Sequence, residues 1–187
     1  MRRRRDERGA VLVELAMCVP LLIILSLGII DYGHAFTDKI TLKGGVREAV
    51  WNGSRQVWGS AVDCGLVGVT GSGDAAADAN TKRIMCMAKT RTQLPASEIR
   101  SKVIFYDIGN PAELVPYRAG AGIMVCTMRM GKSVTGFFSF TIDNTVQRAK
   151  LGTVIIKADA PGMSALQESP LPGQSWSFCD ASAAAST

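Results

Sequence analysis

Three residues near the N-terminus have types and spacing that suit one covalent event. Gly9 closes an arginine-rich stub, Ala10 follows it, and Glu14 comes four residues later. Glycine fits a protease slot too narrow for a β-branched side chain. A cut between Gly9 and Ala10 would make Ala10 a new α-ammonium and Glu14 the fifth residue of the shortened chain. A carboxylate at that spacing can neutralise the ammonium of its own chain or of a neighbour, and pairing is what makes charge tolerable in an apolar setting. A second set is Cys64, Cys86, Cys126 and Cys179, an even number suited to two disulfides. The remaining chemistry-bearing residues do not assemble. The single histidine, His34, has no Cys-x-x-Cys or acidic cluster beside it, so no metal site is read. Gly131-Lys132-Ser133 imitates the end of a phosphate-binding loop, but the glycine required five residues earlier is Cys126. Asp107, Glu113, Asp143 and Asp159 are too dispersed for paired-carboxylate catalysis. The chain is read as a non-enzyme without a cofactor.

The element that must position the first set is a membrane span. Residues 10–30 carry one charge, Glu14, and at about 1.5 Å per residue they reach roughly 30 Å, the hydrocarbon thickness of a bilayer. Arg2, Arg3, Arg4, Arg5 and Arg8 precede the run, which places residues 1–9 in the cytoplasm and translocates the rest. A carboxylate within the span costs about 2.5–3.5 kcal/mol at mid-bilayer and less near an interface, so Glu14 needs a reason to be there. An uncut signal anchor explains the charges and the length but not Glu14. A cleaved secretory signal fits poorly, because the apolar core is too long.

These features resemble a known family. Gly9-Ala10-Val11-Leu12-Val13-Glu14 resembles the processing site of the type IV pilin superfamily. Glu14-Leu15-Ala16, Pro20 and Gly28-Ile29-Ile30-Asp31-Tyr32-Gly33 resemble the TadE-like (TadE/TadF) pseudopilins of the Tad, or Flp-type, pilus system. The resemblance runs from Arg8 to about Phe36 and is absent beyond Arg55. It implies a minor pilin that acts in assembling an adhesive pilus. It implies as partners the membrane, a prepilin peptidase, other pilins and pilus-assembly platform proteins. It also implies a single-pass location in the inner (cytoplasmic) membrane, with the C-terminal domain outside the cytoplasm. A type II secretion pseudopilin and a signal-anchored envelope interaction protein are the alternatives.

The formal charge of the whole chain is +5, of which the first nine residues supply +3. The remainder is close to neutral with scattered basic residues, so nucleic acid is not a partner. Cys18 lies inside the span and reads as an inert buried thiol. The other four cysteines fall on the translocated side. Three pairings are possible; Cys64–Cys86, which closes a glycine-rich loop, and Cys126–Cys179, which ties down a polar tail, are preferred.

The expected organisation is a leader (1–9), a transmembrane helix (10–30), a helix extension (31–58), an extracytoplasmic α+β domain (59–160) and a Pro-rich and Ala/Ser-rich tail (161–187). Leu42, Val46, Ala49, Val50, Gly53 and Val57 share one helical face, extended by Trp51 and Trp58. Pro20 should kink the helix, and Gly44-Gly45 should weaken, bend or break it. Residues 75–90 read as a second helix. Strands are expected at 103–106, 123–130 and 154–156. In 123–130, Met124, Cys126, Met128 and Met130 share one face, with Thr127 and Arg129 on the other. Residues 134–142 are ambiguous. The predicted fold is α+β and pilin-like: a long N-terminal helix, transmembrane then amphipathic, packed on a small antiparallel sheet of three or four strands. The tail is expected to lose order beyond Cys179.

Overall fold

A computed structural model describes residues 8–71, 75–160 and 163–180. Most of the leader (1–7), residues 72–74 of the glycine-rich loop and the last seven residues of the tail (181–187) lie outside the described residues.

Helix α1 spans Arg8–Ser54, 47 residues or about 70 Å. Its two halves differ in what they touch. Residues 11–26 are exposed throughout, although almost all are apolar. From Asp31 onward the helix has a buried side, on which Leu42, Val46, Ala49 and Val50 are fully enclosed. Pro20 lies inside the helix and does not end it.

Gly44-Gly45 does not break the helix either, for a packing reason. A Cβ on Gly45 would come within 2.6 Å of the Ala88 carbonyl oxygen and 2.7 Å of Thr92 Cγ2, whereas nothing lies within 4 Å of one on Gly44. Gly45 is the crossing point of α1 with α2 (Ala75–Thr90), and the helix–helix contact offsets the low helix propensity of glycine.

The helix stops at Ser54, four residues short of the expected 58. Gln56 adopts φ 59°, and the Val57 N–H donates to the Asn52 carbonyl at 3.0 Å, a left-handed C-terminal closure. Gln56 is held there by its side chain, which donates to the carbonyl oxygens of Ala158 and Asp159. Val57, beyond the closure, is consequently exposed; Trp51, still inside the helix, is exposed as well, while Trp58 is half-buried beside the Tyr117 ring.

The sheet is antiparallel, in the order β3-β2-β1-β4, with β1 at Ile99–Tyr106, β2 at Gly122–Met130, β3 at Val146–Ile155 and β4 at Leu166–Gln167. The architecture is α+β, a long N-terminal apolar helix followed by a small antiparallel sheet. β1 begins four residues before the expected start. Its early residues include Ser101, which is buried yet polar because it serves Glu168. β3 is much longer than expected. It is an edge strand, and its Gln147, Arg148 and Lys150 mask the apolar signal, as edge strands commonly do.

Both faces of β2 are buried. Ile123 and Val125 join the core under α1 and α2, and Met124, Cys126 and Met128 join a second cluster on the opposite face. Residues 163–180 serve both faces: Leu171, Trp176 and Cys179 cover this second cluster, whereas Met163 and Leu166, which pairs with Val103 at the sheet edge, join the first core. The expected boundary at 160 therefore does not separate a domain from a tail. The prolines hid a strap whose few apolar side chains are all used.

Two disulfides staple this arrangement. Cys64–Cys86 ties the 57–71 loop to α2, and Cys126–Cys179 ties the strap to the central strand. Within the strap, directly after β4, Glu168 is fully buried and accepts from Lys89 Nζ at 2.9 Å, the Val67 N–H at 2.8 Å, and the Ser101 N–H and hydroxyl at 2.7 and 2.8 Å. Burial pushes the Lys89 ammonium below its ordinary pKa, against the opposing pull of Glu168. Such a pair is tolerable because nearly every lone pair on the carboxylate is used.

Candidate functional site along the N-terminal helix

The sequence-derived residues occupy one end of α1. Gly9 and Ala10 fall in its first turn. Glu14 is exposed and makes no ion pair among the described residues. It stands 17 residues before Asp31, about 25 Å along the axis, and so far from the sheet. Around it Val11, Leu12, Leu15, Leu21, Leu22 and Ile23 are all more than half exposed. The helix is long and apolar enough to cross a membrane, and none of its most apolar 18-residue stretch is buried within the molecule. Cys18 is a free thiol and exposed, so nothing in this chain encloses it.

The other end of the apolar run carries a site that sequence reasoning passed over. Asp31 is fully buried, although it lies one residue beyond the expected span. Its carboxylate accepts four hydrogen bonds from a single loop: the Ser133 hydroxyl at 2.8 Å, the Val134 N–H at 3.0 Å, and the Thr135 N–H and hydroxyl at 2.8 and 2.6 Å. Burial alone would raise the carboxyl pKa. The bonds from Thr135, Ser133 and Val134 outweigh it and hold the group well below the usual carboxylate range.

The loop is shaped for this contact. Gly131 starts it where β2 ends, and a Cβ there would lie 2.3 Å from the Ile142 carbonyl oxygen. Gly131-Lys132-Ser133 is therefore the turn that delivers Ser133 to Asp31. The Asp143 carboxylate accepts from the Ser133 N–H, and Gly136 turns the chain with φ 75°. The ambiguous 134–142 segment is neither a strand nor a full helix. It is this loop followed by one short helix, α3 (Ser139–Ile142), which lies outside the sheet. Asp31 in the Gly28–Gly33 stretch and Gly131-Lys132-Ser133 both stood out in the sequence, but nothing in it joined them, since they lie more than a hundred residues apart.

Two further polar contacts lock α1 to the sheet. Arg129 lies, as the period-two pattern has it, on the β2 face opposite Met124, Cys126 and Met128; that face is turned to α1, and the Arg129 side chain is nearly enclosed there. It donates to Glu98 at 2.7 and 3.1 Å and pairs with Asp38 of α1 at 2.5 Å. Gln147 Nε2 donates to the Ala35 carbonyl at 3.1 Å. These contacts, with Asp31, fix the rotation of the helix on the sheet just above the exposed half.

The dispersed carboxylates have local roles. Asp107 binds Arg118 and caps the turn at Gly109 and Asn110, which hold its carboxyl below the ordinary range. Asp159 accepts from the Ala119 N–H. Among the described residues, no group of three or more His, Cys, Asp or Glu side chains is placed to hold a metal ion. The arrangement can present an apolar rod with one carboxylate near its free end, rigidly mounted on a cross-linked domain.

No curated protein and no solved structure matches the chain. Residues 9–51 do match a family model, described as TadE-like protein, and the matched stretch takes in nearly the whole of the helix that bears Gly9, Glu14 and Asp31.

Proposed function

We propose that this chain is a minor pilin, or pseudopilin, that acts in assembling a Tad-type adhesive pilus after removal of its leader by a prepilin peptidase. The observation that carries the reading is the exposed apolar half of α1 with Glu14 near its free end, inside the segment that matches the TadE-like family. Before assembly that half lies in the inner membrane, with residues 1–9 in the cytoplasm. Cleavage after Gly9 frees the Ala10 ammonium. The apolar rod then passes from lipid to the flanks of neighbouring pilins, an exchange between two apolar surroundings. Glu14 directs the docking, because a carboxylate in such surroundings is stabilised by an opposed ammonium. The partners are thus the peptidase, other pilins and the platform proteins of the pilus machinery, and the cross-linked domain supplies the extracytoplasmic surface.

The intact mass of protein extracted from membranes of a peptidase-competent host tests this. Wild type is expected to begin at Ala10. Gly9→Val is expected to retain the leader, because a β-branched side chain does not fit a slot selected for glycine. A wild-type chain that still begins at Met1 would overturn processing and leave an uncut signal anchor of an envelope interaction protein.

A further inference from the structure

We propose that the loop 133–142 is a second membrane contact, seated in the headgroup and upper acyl region of the leaflet from which α1 emerges. The inference rests on the reading that residues 10–30 cross the bilayer.

Position is the first observation. The loop folds down onto α1 at the level where the span ends. The Phe138 ring approaches within 3.3 Å of where a Cβ on Gly28 would stand, and it packs on Tyr32 with ring centroids 5.9 Å apart. Asp31 pins the same loop by its four hydrogen bonds. A span of about 30 Å that starts at Ala10 leaves the hydrocarbon at Ile30, so the loop lies at the interface by construction.

What the loop exposes is the second observation. Phe140 is 73% exposed, Val134 60% and Phe137 50%, on a segment of only ten residues. Ile29 of the span is 73% exposed at the same level. The loop's apolar surface is thus continuous with the apolar surface of the helix. That continuity selects lipid as the occupant, since the surface already requires lipid one helical turn below.

The polar groups are arranged to match. Asp31 directs its carboxylate into loop donors, so no unpaired carboxylate of this cradle faces the acyl chains. Lys132, exposed at the start of the loop, can extend its ammonium to phosphate while its methylenes lie along apolar surface. Tyr32, half exposed, has the amphipathic ring favoured at this depth. The loop would fix the tilt and rotation of the extracytoplasmic domain on the membrane before the helix is withdrawn.

The full chain, reconstituted in vesicles of phosphatidylcholine and phosphatidylglycerol, allows a direct test. An environment-sensitive fluorophore is attached to Phe140→Cys or, separately, Phe137→Cys, each in a Cys18→Ser background. Mass spectrometry after alkylation checks that both disulfides are intact. Lipids spin-labelled near the top of the acyl chain are expected to quench most of the emission at both sites, and aqueous iodide very little. The same fluorophore at Ile108→Cys, beyond the opposite end of β1, should be quenched by iodide alone. Wild-type Cys18, about 18 Å before Ile30 along the helix, reports the span itself and should be quenched by deep spin labels.

Cys18 quenched by deep labels with positions 137 and 140 quenched only by iodide would overturn the loop contact and leave the span standing. Shielding of 137 and 140 from both quenchers would mean that protein covers the patch and would also overturn it. Failure of deep labels to quench Cys18 would remove the spanning reading, and the loop contact with it.

Discussion

Asp31 and Glu14 are two carboxylates on one helix with opposite fates. Asp31 is inside the molecule and fully satisfied; Glu14 is outside and unpaired among the described residues. Asp31→Asn keeps the size but turns part of the acceptor into a donor that faces donors. The amides of Val134 and Thr135 are then expected to exchange with solvent about tenfold faster or more, the worth of one charge-assisted hydrogen bond. Hydrogen exchange with mass or NMR detection in detergent reads this, and unchanged protection would remove the clamp. Because the Asp31 pKa is depressed, its stabilisation is complete above the ordinary carboxylate range and fades only as pH falls below it. Glu14→Gln, by contrast, touches no part of the core. Both disulfides and the thermal midpoint of the domain should stay at wild type. Membrane insertion should improve slightly, since a carboxylate within the span costs up to about 2.5–3.5 kcal/mol. If the proposed docking role holds, co-purification with the pilins of the same system should fall, with Glu14→Asp in between. Wild-type piliation in Glu14→Gln cells at equal protein level would remove the docking role.

At the scale of elements, the two adjacent glycines of α1 make a clean contrast. Gly44 faces open space, and Gly45 faces the α2 backbone. Gly44→Ala is expected to stabilise by up to about 1 kcal/mol through helix propensity. Gly45→Ala is expected to destabilise by about 1–3 kcal/mol, because the Ala88 carbonyl cannot yield as a flexible side chain would. Urea unfolding in detergent should give the two variants midpoints on opposite sides of wild type. Equal shifts would mean that the crossing of α1 and α2 is not as close as the structure has it.

The whole molecule is a rod mounted on a stapled domain, and the staple on the outer face is Cys126–Cys179, which closes 53 residues of chain. Replacing both cysteines by alanine should cost about 2–4 kcal/mol. The consequence should be local first. The strap carries Trp176, which is buried and donates to the Glu168 carbonyl at 2.9 Å. Its release should shift tryptophan emission to the red before the helix–sheet core unfolds. A single cooperative transition with no early red shift would show that the strap and the core are one unit even without the bridge.

What was legible in the sequence was whatever depends on neighbours in the chain. The length of the apolar run, helix α2 at 75–90 and the α+β class all follow from local period and composition. The preferred cysteine pairing, judged from loop closure, is the one the structure contains. The tertiary structure alone decided the rest. Asp31 meets a loop more than a hundred residues away, Gly45 meets α2, and a proline-rich tail covers a sheet face. Period two placed Arg129 with Thr127 on one face of its strand, and only the fold encloses it between Asp38 and Glu98. A polar residue is written the same way whether it faces water or a buried partner, and only the fold determines which of the two satisfies it.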